Sequence, residues 1–378
     1  MPPQHALLSA SSSSRWINCP PSARLGENFP NKSSDYAAQG TDAHSLCEYK
    51  LHKLLGDNPA YPKLQYFDEE MEATTDAYAQ YVMGELAKAR QTISDPVVIV
   101  EQRLDFSKYV PDGFGTGDCL IIADDTLSVI DMKYGLGVLV EAEGNPQMMC
   151  YALGALELFD GIYDINRVKM TIFQPRRENI STHVISKEEL VKWAEEVLAP
   201  SAKIAYEGGG EFQCGKWCKF CPAKNVCRKR AEYNLELARY EFKPPELLDD
   251  VEIEGVLERV DDLLSWVNDI KEYAFQQAMS GKHWSNYKLV EGRSTRKYTD
   301  EELVATTVTN AGYDPFETKL LGITAMTKAL GKKHFDELLG GLIEKPKGKL
   351  TLVPVTDKRQ AVDVTNVNDD FDDLTEEN

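Results

Sequence analysis

The block between residues 96 and 133 constrains the fold most. It holds three short aliphatic or β-branched runs, at 96–104, 118–123 and 127–133, separated by the turn signals Asp112-Gly113 and Asp124-Asp125. Such runs between such turns read as three successive strands. Around them the apolar spacing becomes helical, over 36–55 and 71–93 before the block and over 145–159 and 187–206 after it, with one more strand at 168–174. Helices that bracket and interrupt strands in this way predict an α/β protein, a mixed central sheet flanked by helices. Residues 245–279 and 300–343 read as mainly helical, and 284–298 as strand-like. No internal repeat is present.

Composition narrows the class. The chain has 378 residues, is 42% hydrophobic and 27% charged, and carries a net charge of −19. These are the proportions of an ordinary soluble protein of two or three domains. So large an acidic excess argues against wholesale coating of nucleic acid or an anionic membrane, but it leaves room for a local basic groove. The longest aliphatic runs are too short to span a bilayer. The start, Met1-Pro2-Pro3-Gln4-His5, lacks the basic-then-apolar layout of a secretory signal. Eight cysteines without such a signal suit a reducing, cytoplasmic setting, where clustered thiols serve as metal ligands.

The densest chemistry lies in Gly115-Thr116-Gly117-Asp118, Asp131-Met132-Lys133 and Gln147-Met148-Met149-Cys150-Tyr151. Asp118 opens one predicted strand and Asp131 closes the next, so a hairpin brings the two carboxylates to one end of the sheet. Asp131 and Lys133, two apart in a strand, share a face; Gln147 and Tyr151, four apart in a helix, do so too. Two carboxylates beside a lysine suit Mg²⁺ or Mn²⁺, with the lysine orienting or activating water. Upstream, Gly40-Thr41-Asp42-Ala43-His44 offers one imidazole from a helix. Glu101 is a supporting candidate whose plainer reading is a solvated carboxylate at a strand end. Gly135-Leu136-Gly137 reads as a turn, and no G-x-x-x-x-G-K-[ST] motif occurs.

In this order, Gly-Thr-x-x-His, Gly-x-x-Asp, Asp-x-Lys and Gln-x-x-x-Tyr resemble the RecB-like branch of the PD-(D/E)XK nucleases over about residues 5–230. The whole chain further resembles a group of phage-encoded proteins regarded as exonucleases. The resemblance implies a restriction-endonuclease-like core over 31–210, preceded by an N-terminal clasp segment (1–30). It is followed by a Cys-rich metal clasp (211–235), a mainly helical C-terminal domain (240–358) and an acidic disordered tail (359–378). It implies that His44, Asp118, Asp131 and the Met132 carbonyl bind metal, that Lys133 is catalytic, and that Gln147 and Tyr151 support the site and the DNA. The implied activity is two-metal hydrolysis of DNA phosphodiesters by an exonuclease of phage recombination or replication, in the bacterial host cytoplasm. Its implied partners are DNA and a single-strand-binding protein, a recombination protein or a separate helicase. A structure-specific endonuclease on the same core and a non-catalytic DNA-binding or scaffold protein remain the alternatives.

Cys214, Cys218, Cys221 and Cys227 follow C-x3-C-x2-C-x5-C, a dense metal signal. Nucleases of this branch that carry an iron–sulfur cluster use one early and three late cysteines. That resemblance maps a [4Fe–4S] cluster onto Cys19, Cys218, Cys221 and Cys227. With Cys214 in place of Cys19, a local structural Zn²⁺ is the competing reading. From Phe212 to Arg230 there are six basic residues and no acidic one. Lys216, Lys219, Lys224 and Arg228, interleaved with Trp217 and Phe220, are candidates for a nucleic-acid surface, extended by Arg176-Arg177 and residues 293–297; a solvated helix face is the equal alternative. Residues 361–378 hold seven acidic and no basic side chains.

Overall fold

Two changes of hydrophobic pattern build the molecule: helical before residue 90, extended across the strand block, then alternating. The computed structural model describes residues 6–29, 35–237, 248–290, 298–316, 320–343, 353 and 360. Helices α1 (Ser13–Asn18), α2 (Ser22–Gly26), α3 (Asp35–Leu55) and α4 (Glu69–Ala89) come first. Strands β1 (Val97–Asp105), β2 (Phe114–Ala123) and β3 (Thr126–Met132) follow. Next come α5 (Pro146–Phe159), β4 (Arg167–Gln174) and β5 (Asn179–Ser186). Helix α6 (Lys187–Trp193) continues through a π-turn, Ala194–Leu198, into α7 (Ala199–Glu207); α8 (Arg228–Leu237) and α9 (Asp250–Met279) lie beyond.

The five strands form one mixed sheet in the order β1-β2-β3-β4-β5. Neighbours are antiparallel except β3 and β4, which are parallel. A parallel step needs a crossover, and α5 supplies it. Asn145 caps α5 by accepting from the backbone N–H of Gln147 and Met148, and Pro146 takes the first helical position, which needs no N–H. On one sheet face, Leu46, Cys47 and Leu51 of α3 and Tyr78, Val82 and Leu86 of α4 pack on Cys119, Ile121, Ile130 and Met132. On the other, Met148, Ala152 and Ala155 of α5, with Leu8 and Trp16 from the N-terminal segment, pack on Leu120, Ile122, Leu127 and Val129. Because β2 and β3 are covered on both faces, their sequences run almost continuously apolar rather than alternating.

The structure adds to the expected elements. β5 is absent from the sequence reading because Ile180 and Val184 are exposed while Ser181 and His183 are half-buried, the reverse of the usual edge-strand alternation. The Ser-rich opening forms α1 and α2, held by Trp16, whose indole N–H donates to the Ser9 carbonyl at 3.1 Å. Of the strand expected over 284–298, the described residues 284–290 show only an isolated bridge, Trp284↔Tyr287, and 291–297 lie outside the described residues. The chain divides into two units, Met1–Val290 and Glu291–Asn378, and α9 falls within the first. In the second unit α10 (Glu301–Asn310), α11 (Ile323–Leu330) and α12 (Lys332–Leu339) are described. The acidic stretch 361–378 lies outside the described residues. Among those residues, no helix is long and apolar enough to cross a membrane.

Candidate functional site

Register brings the carboxylates together. β2 and β3 pair Cys119 with Ile130, and one step further along the same register Asp118 stands opposite Asp131. Asp118 is 9% exposed and Asp131 2%. One oxygen of Asp118 accepts the Met132 backbone N–H at 2.7 Å, and the other lies 3.2 Å from Nδ1 of His44 on α3. Lys133 Nζ is 2.8 Å from Asp131 Oδ2 and donates to Gln147 Oε1 at 3.1 Å; Gln147 Nε2 in turn donates to the Tyr151 hydroxyl at 3.1 Å. An unbroken polar chain thus runs from the Asp131 carboxylate through the lysine to α5. The Tyr151 ring lies against Gly115, where an added Cβ would come within 2.6 Å of Tyr151 Cε1. That close approach is the physical use of the first glycine in Gly115-Thr116-Gly117-Asp118.

Charge follows from this packing. The adjacent Asp118 carboxylate pushes the His44 imidazole up to about 9. Burial raises Asp118, but His44 and the Met132 N–H outweigh it and hold the carboxyl below its ordinary value. Asp131 goes the other way: burial raises it and Lys133 compensates only in part. Burial lowers Lys133, and the Asp131 carboxylate more than restores it. The site therefore contains one carboxylate stabilised as the anion, one resisting ionisation, and two cationic groups beside them.

Glu101 is not the solvated strand-end carboxylate of the sequence reading. It is half-buried in the middle of β1, and its carboxyl oxygen, a nitrogen of His44 and an oxygen of Asp118 lie within 4.8 Å of one another. Burial first, then the Asp118 charge, raises it to about 7. Asp131 stands outside this tight trio, on the lysine side of Asp118.

The cysteines separated by two hundred residues also meet. Cys19, Cys218, Cys221 and Cys227 line one cavity, together with Arg15 and Arg230. The Cys214 sulfur lies 3.8 Å from that of Cys218 and outside the cavity lining. The Cys214 thiol holds Cys218 down to about 6, while burial raises Cys221. Among the described residues, no three of these sulfurs come within 4.8 Å of one another.

Comparison with known proteins adds a family. The profile of a family described as protein of unknown function (DUF2800) matches residues 5–360. The chain belongs to that family. A solved structure described as "Crystal structure of SSO0001" is 12% identical, over 49% of this chain and 95% of that chain. Its TM-score is 0.20, a superposition too loose to carry the fold from one to the other.

In this DUF2800 chain several residues act that no motif flagged. Asp42, two residues before His44, accepts the backbone N–H groups of Gln65 and Tyr66 at 2.7 and 2.6 Å and so fixes the segment leading to α4. Asp269 of α9 pairs with Lys224 at 2.7 Å and also with Arg230, tying the Cys-rich segment to the long helix. Lys224 is thereby engaged within the protein. Lys219 donates to the Gly137 carbonyl at 3.4 Å, Arg176 makes a two-pronged contact with Glu70, and Arg177 donates to the Leu136 carbonyl at 2.7 Å. Lys216 is exposed, and so is Arg228 at the start of α8. Residues 293–297 lie outside the described residues.

Proposed function

We propose that this chain is a metal-dependent deoxyribonuclease with a RecB-like, restriction-endonuclease-type core, acting as an exonuclease in phage DNA recombination or replication. One observation carries the reading: Asp118 and Asp131 stand opposite each other on neighbouring strands, with Lys133 at 2.8 Å from Asp131 and His44 at 3.2 Å from Asp118. The residues fit Mg²⁺ or Mn²⁺, since the carboxylates of Glu101, Asp118 and Asp131 gather beside one imidazole, and oxygen donors are what these ions take. Asp118, Asp131, His44 and the Met132 carbonyl would hold the metal, which supplies charge stabilisation at the phosphate when bound.

The protein's own residues do the rest. Asp131 and Gln147 fix the Lys133 ammonium from two sides, so that it orients an attacking water and steadies charge that develops on the phosphate oxygens. Tyr151 holds Gln147, and Gly115 lets Tyr151 approach. The cavity shared by Cys19, Cys218, Cys221 and Cys227 suits a [4Fe–4S] cluster. Bound there, the cluster would clasp the N-terminal segment to the Cys-rich segment. A single-strand-binding protein, a recombination protein or a separate helicase would be the partner, since the chain contains no phosphate-binding loop of the helicase type.

The test is purified protein with Mg²⁺ or Mn²⁺ on end-labelled linear, nicked and covalently closed DNA. We expect degradation of linear DNA, abolished by EDTA and lowered by roughly 10²–10⁴-fold in Lys133→Ala and Asp131→Ala. Rapid cutting of closed circles would replace the exonuclease with an endonuclease. Undiminished activity in Asp131→Ala would assign cleavage to a contaminant, and metal-independent DNA binding without cleavage would leave a scaffold.

A further inference from the structure

The pairing of β1 with β2 keeps one register from Val97↔Ile122 to Asp105↔Phe114, yet the rung that would join Glu101 to Asp118 is missing. Glu101 takes φ +52° there. The in-and-out alternation slips by one at the same point. Val98 and Val100 pack with the α3–α4 side of the sheet, but Leu104, an even number further on, packs with the α5 side. The partner strand slips with it. Cys119 and Ile121 face α3 and α4, whereas a Cβ at Gly117 would meet Leu104 at 2.8 Å and one at Gly115 would meet Tyr151, both on the α5 side. Glu101 and Asp118 therefore sit where the two strands turn over. With Asp131 opposite Asp118 on β3, the three acidic residues form a row across three adjacent strands.

We propose, resting on the metal-dependent reading of the same site, that Glu101 is a further metal ligand, which joins the cation from the side of His44 and Asp118. Three donors from three elements, two carboxylates and an imidazole, converge within 4.8 Å. Ligands at about 2.1 Å from a small divalent cation stand about 3–4 Å apart, so only a small closing movement separates this arrangement from a coordination shell. Asp131 stands on the other side of Asp118, with its Oδ2 at 2.8 Å from Lys133. A row of like charges directly opposite one another across strands is unfavourable in the absence of a cation, and a cation between Glu101 and Asp118 removes that repulsion. One nitrogen among the donors favours Mn²⁺ over Mg²⁺, which prefers oxygen throughout.

The experiment is calorimetric titration of the EDTA-stripped, dialysed full-length protein with MnCl₂ and separately MgCl₂, together with thermal melting with and without Mn²⁺. Wild type should bind Mn²⁺ more tightly than Mg²⁺ and melt higher with Mn²⁺. Glu101→Gln should lower Mn²⁺ affinity at least tenfold and lose most of the Mn²⁺-dependent rise in Tm, while melting in EDTA no lower than wild type. Lys133→Ala should keep the tight Mn²⁺ site. Should Glu101→Gln fail to fold, Glu101→Asp, which keeps the charge on a shorter arm, should still weaken Mn²⁺ binding severalfold. Wild-type Mn²⁺ affinity in a folded Glu101 variant overturns the assignment and leaves the nuclease reading standing. Glu101-dependent Mn²⁺ binding in a protein that cleaves no DNA sinks the nuclease reading and supports the assignment.

Discussion

At Gly115 the smallest possible side chain is already too large. A Cβ there would lie 2.6 Å from the Tyr151 ring, so Gly115→Ala must push the ring aside, and with it the Gln147 amide that holds Lys133. We expect about 1–3 kcal/mol of destabilisation from the overpacking. The loss of cleavage should be larger than in a surface control of equal melting temperature; denaturant unfolding and single-turnover rates measured side by side check both halves. The sequence exposes this residue only in part. A Gly-x-x-Asp spacing marks the position, whereas the reason for it lies in the ring of a residue 36 positions later. Glu101 was harder still: nothing in its neighbourhood of Val, Gln and Arg signals a left-handed backbone, because the turnover is imposed by two strands packing against different helices.

At the scale of elements, charge pairs tie helices to the sheet. Glu85 of α4 bonds with Lys88 at 2.7 Å and with Lys169 of β4. Burial pushes the Glu85 carboxyl up, but the bonds from Lys169 and Lys88 outweigh it, so the group ionises more readily in the folded chain than in the unfolded one. A depressed folded value means the pair stabilises fully above the unfolded value near 4.5, and that this contribution fades as pH falls below it. Glu85→Gln should therefore lower stability at pH 7 and flatten the acid limb, the gap between the two proteins narrowing as pH falls; urea midpoints at pH 7 and at an acid pH test this. Equal losses at both would move the effect from charge to packing. Helices α3 to α5 and strands β1 to β4 were legible because their burial imposes a period on the sequence. β5 was not, since its apolar side chains face outward.

Across the whole molecule, the N-terminal segment is part of the core rather than an appendage. Trp16 is fully buried in the same cluster as α5, and Arg24 bonds the Tyr206 carbonyl at 2.8 Å and lies 4.8 Å above its ring. Trp16→Ala should cost about 3–5 kcal/mol, read from chemical denaturation, and a smaller loss than for a surface tryptophan would place the segment outside the cooperative unit. Cys19 then closes the cavity of the late cysteines over a loop of about two hundred residues, which on chain-entropy grounds stabilises by several kcal/mol when bridged. Anaerobically purified protein should contain iron and bleach on oxidation. Cys19→Ser should lower iron content and Tm together, and Cys214→Ser should change neither. Zinc instead of iron, with sensitivity at Cys214 and indifference at Cys19, would reverse that assignment.

The order of α3 to α5 and β1 to β4, the two strand-borne aspartates, the lysine two residues on and the cysteine spacing are properties of local period and residue type, so the sequence alone determines them. Which groups meet is another matter. Strand register sets Asp118 between Glu101 and Asp131, α3 delivers His44 to that row, and the packing of residues 6–29 carries Cys19 to Cys218, Cys221 and Cys227. These are contacts between segments far apart in the chain, decided by how buried faces fit together, and no local pattern encodes such a fit.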